Sequence, residues 1–541
     1  MAMNSSSKFN HITNKVLIRP GSPAVYRLIP TTKNVQSLTK KTLGQKDASK
    51  SNKTILLVGE TGTGKSTLIN ALVNYAMGVK WADNIWFEIV EEKKNQSRLE
   101  EEENQSESQT TDVTVYEIFG FEDQTLPYSL TIIDTPGYGD TRGIEKDNIV
   151  GQKLLELFRT EGGVHKINVV GLVLKASVNR LDDRQSYTLN SVLSLFDKKM
   201  EDSVVALITH SNGRRPKNVL TALEAAKVKC AKDDKNQPVY FLFENCQTED
   251  REEDPDGLER ADELTVREMR KLTDFLERSK PKRVQGTVDV LNERDTLKTC
   301  IKNLRERVEF IEDKLKGIKE KEEALEKHKG EIEKNKDFKI PTTEVYKDKE
   351  YYEGKRTWTS LWIGKKGSLC CTKCEENCHY DCETAWAKVL CKFIDFSDHC
   401  TICRGKCHES HHVREQWRYV TKTRTVHKTC KEMEEMYKAG KAGHAEAKSL
   451  LEMLKNDIRE LERDKNRWLE EAFKHIVELE RIALNADSLD VHEHLDFLIK
   501  RMEEKRETQK IQKLTEMKSR VDKVLQAGMR YMGAGGTSGK R

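Results

Sequence analysis

The chain has 541 residues, 36% hydrophobic and 34% charged, with 94 Lys+Arg against 90 Asp+Glu and a net charge of +4. That length allows three or four domains at ~150 residues each, but the apolar share suits long solvated helices beside smaller cores rather than one large core. Near-balanced charge argues against a dedicated nucleic-acid binder, no apolar run approaches the ~18 residues of a membrane span, and no signal-peptide core opens the chain, so a cytoplasmic protein is expected.

Residues 1–50 hold nine Lys/Arg and a single acid, Asp47, and read as a basic flexible leader, with Val25–Ile29 as one weak edge strand. From residue 51 to 280, short apolar runs alternate with amphipathic stretches, the signature of an α/β domain. Strands are expected at Thr54–Val58, Thr114–Phe119, Thr131–Asp134, Val169–Leu174, Val204–Thr209 and Val239–Phe243. The acidic, polar segment Glu91–Gln109 reads as a loop.

Gly59-Glu60-Thr61-Gly62-Thr63-Gly64-Lys65-Ser66 fits G-x-x-x-x-G-K-[ST], between an apolar strand and the helix start Ser66-Thr67-Leu68. The glycines let backbone N–H groups turn toward phosphate oxygens, and the helix N-terminus adds favourable charge. Lys65 can reach the β- and γ-phosphates, and the Ser66 hydroxyl can ligate Mg²⁺. Asp134-Thr135-Pro136-Gly137 ends a second apolar strand. Its carboxylate can hold Mg²⁺ through water, and Gly137 can bring a backbone N–H to the terminal phosphate.

Together, GETGTGKS and DTPGYGD resemble the motifs of septins and of the immunity-associated (AIG-type) GTPases, over roughly residues 50–280. The whole chain resembles a multi-copy group of fish proteins that carry such a G domain. The resemblance implies binding of GTP/GDP and Mg²⁺, and G-domain dimerisation as in many members. It places Gly59, Glu60, Thr61, Gly62, Thr63, Gly64, Lys65, Ser66 and Thr67 on the phosphates and Asp134 and Gly137 in the second switch. Thr110, with Thr111 as rival, falls at the first-switch threonine that closes over Mg²⁺. Lys65, Thr110 and Gly137 would then carry any hydrolysis. Thr209-His210-Ser211-Asn212 sits at the base-reading loop and Asn245 at the last base contact. Asn212 stands where the family has Asp. One carbonyl oxygen cannot accept from both guanine donors, and a buried unpaired donor costs ~1–3 kcal/mol. No Gln follows the D-x-x-G motif to orient water, and Arg142 is a candidate arginine finger across a dimer.

Ten of 13 cysteines lie between Cys370 and Cys430, which in a reducing compartment reads as metal ligation. Two segments repeat C-T-x-C-x-x-x-C-H-x-x-[CH]. They supply Cys371, Cys374, Cys378 and Cys382, then Cys400, Cys403, Cys407 and His411. Two closed tetrahedral Zn²⁺ sites are expected. Ligands crossing between the segments, or His379 or His408 replacing a cysteine, remain open alternatives. The spacing does not reproduce that of RING ubiquitin ligases.

Around this cluster, residues 284–335 and 431–484 carry apolar positions in 4-3 alternation. The first row runs Leu297, Ile301, Leu304, Val308, Ile311, Leu315 and Ile318, and the second includes Leu451, Leu454, Ile458, Leu461, Trp468, Ala472 and Leu479. The expected architecture is an α/β P-loop GTPase domain followed by an antiparallel coiled-coil hairpin. Leu297 would lie near Ile482, and residues 338–430 would form a zinc-stabilised β-rich tip at the far end. C-terminal helices over 485–530 and a disordered tail over 531–541 complete the chain. This organisation suits a nucleotide-switched assembly protein with a partner-binding stalk, self-assembling as a dimer or larger oligomer. A nucleotide-binding scaffold without turnover and a mechanical ATPase resembling the zinc-hook DNA-repair proteins are the competing readings.

Overall fold

The computed structural model describes residues 9, 14–35, 38–90, 113–122, 124–137, 145–160, 162–178, 189–335, 337, 339–351, 367–382, 393–394, 397–433, 435, 450–485 and 489–534. The expected loop Glu91–Gln109 and the end of the tail lie outside them. The chain divides into two compact units. One comprises residues 1–291, 480–495 and 512–541, the other residues 292–479 and 496–511.

The first unit opens with β1 (Lys15–Arg19), β2 (Ala24–Leu28), β3 (Thr31–Val35) and β4 (Leu38–Leu43). The expected flexible leader is therefore folded over much of its length. β3 and β4 join the main sheet as its outermost strands, and β1 and β2 form a second sheet with β6 (Ile85–Glu88). β2 matches the expected edge strand at Val25–Ile29, whereas the Lys/Thr composition of β3 and β4 hid those two, because a strand at a sheet margin needs few apolar residues.

The main sheet has eight strands in the order β12-β11-β10-β5-β8-β7-β4-β3. Here β5 is Asn52–Gly59, β7 Thr114–Ile118, β8 Ser129–Asp134, β10 Val169–Lys175, β11 Val204–Thr209 and β12 Tyr240–Leu242. Strands β12, β11, β10, β5 and β8 run parallel, β7 turns antiparallel to β8, and β4 is parallel to β7. Alternate residues of β5 feed opposite cores, as a period of two requires. Ile55 and Leu57 pack with α1 (Lys65–Ala76) and α4 (Pro255–Arg278), whereas Leu56 and Val58 pack with α2 (Glu145–Arg159) and α3 (Lys217–Ala225). Helix α4 starts sharply because Pro255 follows the N-cap Asp254, whose carboxylate accepts from Gly257 N–H at 3.1 Å. The short strands β9 (Lys166–Ile167) and β13 (Lys282–Arg283) pair antiparallel beside the sheet.

In the second unit, α5 (Gln285–Lys327), continued by α6 (Lys329–Lys334), and α7 (Leu450–Ile482) run antiparallel: Glu293 meets His475 and Glu312 meets Lys465. Leu297, Ile301, Leu304, Val308, Ile311 and Ile318 are buried, as are Leu454, Trp468, Ala472 and Leu479. Two further helices join the pair. On α8 (Leu489–Glu504), Arg501 makes a bidentate contact with Glu312 at 2.6 and 3.1 Å, and Lys510 of α9 (Thr508–Ala534) binds Glu470. Leu469 and Ile476, outside the expected seam of α7, are also buried. Helix α9 runs to Ala534, past the expected end at 530.

The cysteine-rich segment does not cap the far end of the helices. β14 (Lys339–Tyr351) and β18 (Trp417–Thr429) pair along all 13 positions as a ribbon that turns back along α5. Ile340 packs with Ile318 and Leu454, Lys347 lies over the Phe310 ring, and at the ribbon's end Tyr380 reaches Asn303 and Glu306. A small sheet of β16 (Glu376–Cys382), β15 (Gly367–Cys371) and β17 (His412–Glu415) thus lies beside the middle of α5.

Candidate functional site

Strand β5 delivers the phosphate-loop motif to the C-terminal edge of the sheet, and α1 begins at Lys65. The cap position, Gly64, is left-handed (φ 86°) and supplies no side-chain cap, so the first N–H groups of α1 remain directed at the loop's interior. Gly62 is also left-handed (φ 76°). Gly59 lies against β10, where a Cβ would come within 2.6 Å of the Val173 carbonyl oxygen.

Lys65 is buried, and its ammonium donates to the carbonyls of Gly59 (2.8 Å) and Glu60 (2.7 Å). Burial lowers its pKa to about 8, against the opposing attraction of Asp134 and Glu60. Asp134 ends β8 at 1% exposure, and neither carboxylate oxygen has a hydrogen-bond partner among the described residues. Burial raises its pKa to about 6, with Lys65 and Lys41 pulling the other way. A carboxylate held this way is under-satisfied, and hydrated Mg²⁺ fits its oxygens. Thr135 fixes the turn after β8 by donating to the Leu57 carbonyl at 2.9 Å. Gly137 then lies directly on the phosphate loop, where a Cβ would fall 2.7 Å from both Thr61 Cα and Thr61 N.

The base-side residues converge on the same edge. Thr209 Oγ1 donates within reach of the Thr63 (2.7 Å) and Leu174 (3.2 Å) carbonyls, tethering β11 to the phosphate loop. The motif alone did not reveal that tether. His210 has a left-handed backbone (φ 52°), and its Nδ1 lies 3.1 Å from Thr209 Oγ1. Asn212 is exposed, its Oδ1 accepting from Arg214 N–H at 3.1 Å. Both polar atoms of the Asn245 side chain are buried without a hydrogen-bond partner among the described residues. Ser66 and Thr67 occupy the second and third positions of α1. Thr110, Thr111 and Arg142 lie outside the described residues.

With that geometry in view, the likeness to known proteins can be stated. Residues 50–151 match the septin family model. This segment is septin-like. Septin-1 of Drosophila melanogaster is 28% identical over 124 residues, which is 22% of this chain and 29% of that protein, so the chain spans under a third of the curated relative it matches. Among solved structures, Toc33 of Arabidopsis thaliana in complex with Mg²⁺ and GMPPNP is 17% identical, covering 43% of this chain and 88% of that one with a TM-score of 0.28. A structure of the chloroplast translocon components atToc33 and psToc159, in which dimerization is important for GTPase activity, is 13% identical over 43% of this chain and 86% of that one, at a TM-score of 0.29. The first unit carries a P-loop α/β domain that is septin-like over residues 50–151.

The second unit gathers the cysteines differently from the sequence expectation. Two groups have ligand atoms within 4.8 Å of one another: Cys371, Cys374, Cys403 and Cys407, and Cys378, Cys400, Cys403 and His412. Ligands therefore cross between the two segments, and Cys403 belongs to both groups. His411 is exposed, while its neighbour His412, fully buried at the start of β17, faces the cluster in its place. The repeat spacing misled here because a short 3₁₀ turn over Glu409–His411 resets the register before β17. Cys382 pairs by backbone with Gly367, and its side chain is outside the description.

The cluster has the chemistry of a soft-metal site. Cys374 and Cys407 sulfurs stand 3.5 Å apart, near the ~3.8 Å edge of a tetrahedron with 2.3 Å metal–sulfur bonds and far beyond a ~2.05 Å disulfide. Backbone N–H groups of Cys374, Ile402, Cys403 and Cys407 point at cysteine sulfurs at 3.2–3.4 Å, an arrangement that favours thiolates. His412 Nδ1 lies 3.1 Å from the His408 carbonyl, which fixes the tautomer and leaves Nε2, buried and unpartnered, as the ligand atom. Gly405 closes the site, since a Cβ there would sit 2.9 Å from Cys407 Sγ and 3.2 Å from Cys374 Sγ. Arg307 of α5 anchors the module, with two bonds to Glu376 (3.0 and 2.7 Å) and one to the Ile402 carbonyl (3.1 Å).

Proposed function

We propose that the protein is a guanine-nucleotide-dependent switch that assembles through its G domain and helices, hydrolyses GTP slowly, and presents a zinc-stabilised module for partner binding. One observation carries the nucleotide reading. The buried, unpartnered Asp134 carboxylate faces the buried Lys65 ammonium, whose bonds are spent on its own loop. An arriving triphosphate gives Lys65 anionic oxygens in place of two neutral carbonyls, a stronger charge-assisted bond. Ser66 and Asp134, with Thr110 from the first switch, would hold Mg²⁺, which neutralises charge on the β- and γ-phosphate oxygens. Gly137, already against Thr61, would offer its N–H to the γ-phosphate. Loss of that phosphate would free Gly137 from this contact, which would be the switching event. Thr209, His210, Asn212 and Asn245 would border the base, with the unpartnered Asn245 amide supplying a donor and an acceptor.

Zinc at the cysteine–histidine cluster would be structural, because a closed set of protein ligands leaves no open coordination position. A reducing, cytoplasmic setting suits such thiols. A scaffold that binds nucleotide without turnover is the second reading. It is favoured by the absence of Gln from residues 138–144, where a water-orienting side chain would stand.

Calorimetry with GTP, ATP and XTP in Mg²⁺ buffer, followed by single-turnover phosphate release across protein concentration, tests this. Mg²⁺-dependent GTP binding that Lys65→Ala abolishes is expected. No binding of any triphosphate, or an unaffected Lys65→Ala variant, refutes it. A release rate that rises with concentration supports dimer-assisted hydrolysis, and no release at any concentration selects the scaffold.

A further inference from the structure

We propose that the module holds two zinc ions as one binuclear centre bridged by the thiolate of Cys403, rather than in two separate sites. The inference rests on the zinc reading above and deepens it. The two ligand groups share Cys403 and together comprise seven residues, six cysteines and one histidine. Two tetrahedra joined at one corner have seven corners. The two groups therefore supply a complete ligand set for a bridged pair.

The surroundings of Cys403 fit that role. It is fully buried, and its sulfur lies within 4.8 Å of three ligand atoms in each group. A thiolate sulfur can bind two metals and still accept one N–H, and the Cys407 N–H is placed at 3.2 Å to serve. His411 is exposed and gives way to the adjacent buried His412, while Cys382, the other expected ligand outside the two groups, has a side chain that lies outside the described residues. On the other side of the bridge, the buried His412 ring offers a ligand atom within 4.8 Å of the Cys378, Cys400 and Cys403 sulfurs.

Six thiolates and two Zn²⁺ leave a net charge of −2, which the N–H···S contacts offset locally. The bridge makes the module a single folding unit. Each ion draws cysteines from both halves of the repeat, so neither half can close alone, and stripping the shared ligand empties both positions.

The test substitutes Co²⁺ into the metal-free full-length chain, with metal counting and low-temperature EPR through the titration. A thiolate bridge couples the two Co²⁺ spins. The expected result is two ions per chain, with an EPR signal that grows during the first equivalent and falls during the second. Two ions with a signal that simply doubles overturn the bridge while leaving the zinc reading intact, and one ion per chain does the same. No bound metal overturns both. Cys403→Ala should lose both ions to a chelator, whereas Cys374→Ala should lose one; a Cys403→Ala chain that keeps one tightly held ion also overturns the bridge. The EPR result on the unsubstituted protein decides the question even if the variants misfold.

Discussion

Replacing Asp134 with Asn should stabilise the nucleotide-free protein while destroying its nucleotide binding. Folding raises the Asp134 pKa from 3.8 to about 6, chiefly through burial, with Lys65 and Lys41 only partly offsetting it. The folded state therefore holds the proton more tightly than the unfolded state. Stability contributed by the neutral acid is complete below pH 3.8 and is lost as pH rises through 6. At pH 7.5 the charged form costs roughly 3 kcal/mol, at 1.36 kcal/mol per pH unit. Asn removes that cost, but it also removes the attraction that helps keep Lys65 charged. The net gain should be about 1–2 kcal/mol at pH 7.5, read as a higher urea midpoint at unchanged slope. At pH 4.5 the charged-form cost falls to about a third of its pH 7.5 value, and the gap should shrink with it. An Asn variant less stable at pH 7.5, or one with the same gap at both pH values, would refute the account of Asp134 as an under-satisfied carboxylate. A stable variant that still bound GTP–Mg²⁺ at the parental affinity would refute its assignment to the metal.

Gly137→Ala places a methyl against the Thr61 backbone. It should weaken triphosphate binding by about tenfold or more, equivalent to at least ~1.4 kcal/mol, with a smaller effect on diphosphate; equal weakening of both would show that Gly137 does not sense the terminal phosphate. Asn212→Asp should raise the preference for GTP over XTP in competition binding, and an unchanged ratio means that Asn212 does not read the base. His475, bonded to Glu293 at 2.6 Å, has its pKa raised to about 10 by Cys300 and Glu293 against the effect of burial. Its stabilisation is full below pH ~6.5 and fades as pH rises toward 10. His475→Gln should therefore destabilise the protein by about 2 kcal/mol at pH 6 and by clearly less at pH 10, and a penalty independent of pH would contradict that coupling.

What the sequence disclosed follows physical lines. Central strands such as β5 and β11 are buried on both faces, so their apolar runs stand out, and the phosphate loop carries a spacing that only one backbone shape satisfies. The strand β4 stayed hidden because Lys40, Lys41 and Thr42 serve a sheet margin, where polar side chains meet water without cost. The 4-3 rows located the helices, but nothing in their period showed that Arg501 would reach Glu312 from a third helix. The cysteine repeat suggested two self-contained halves. Pairing of β15 with both β16 and β17 interleaves them, and contacts between distant segments leave no local trace in composition. The choice of His412 over His411 turns on one residue of strand phase.

The ribbon of β14 and β18 has two unlike sides. Glu344, Asp348 and Glu350 lie on the side that carries Arg418, Lys422, Arg424 and Lys428, joined by ion pairs, while Trp417 and Tyr419 are buried on the other. Sliding one strand by a single position would bury the charges and expose the aromatic rings, so only one alignment is workable. The ribbon consequently acts as a ruler. Its thirteen paired positions determine how far down the helix the cysteines are set, and trimming two residues from each strand would carry Glu376 ~7 Å out of step with Arg307.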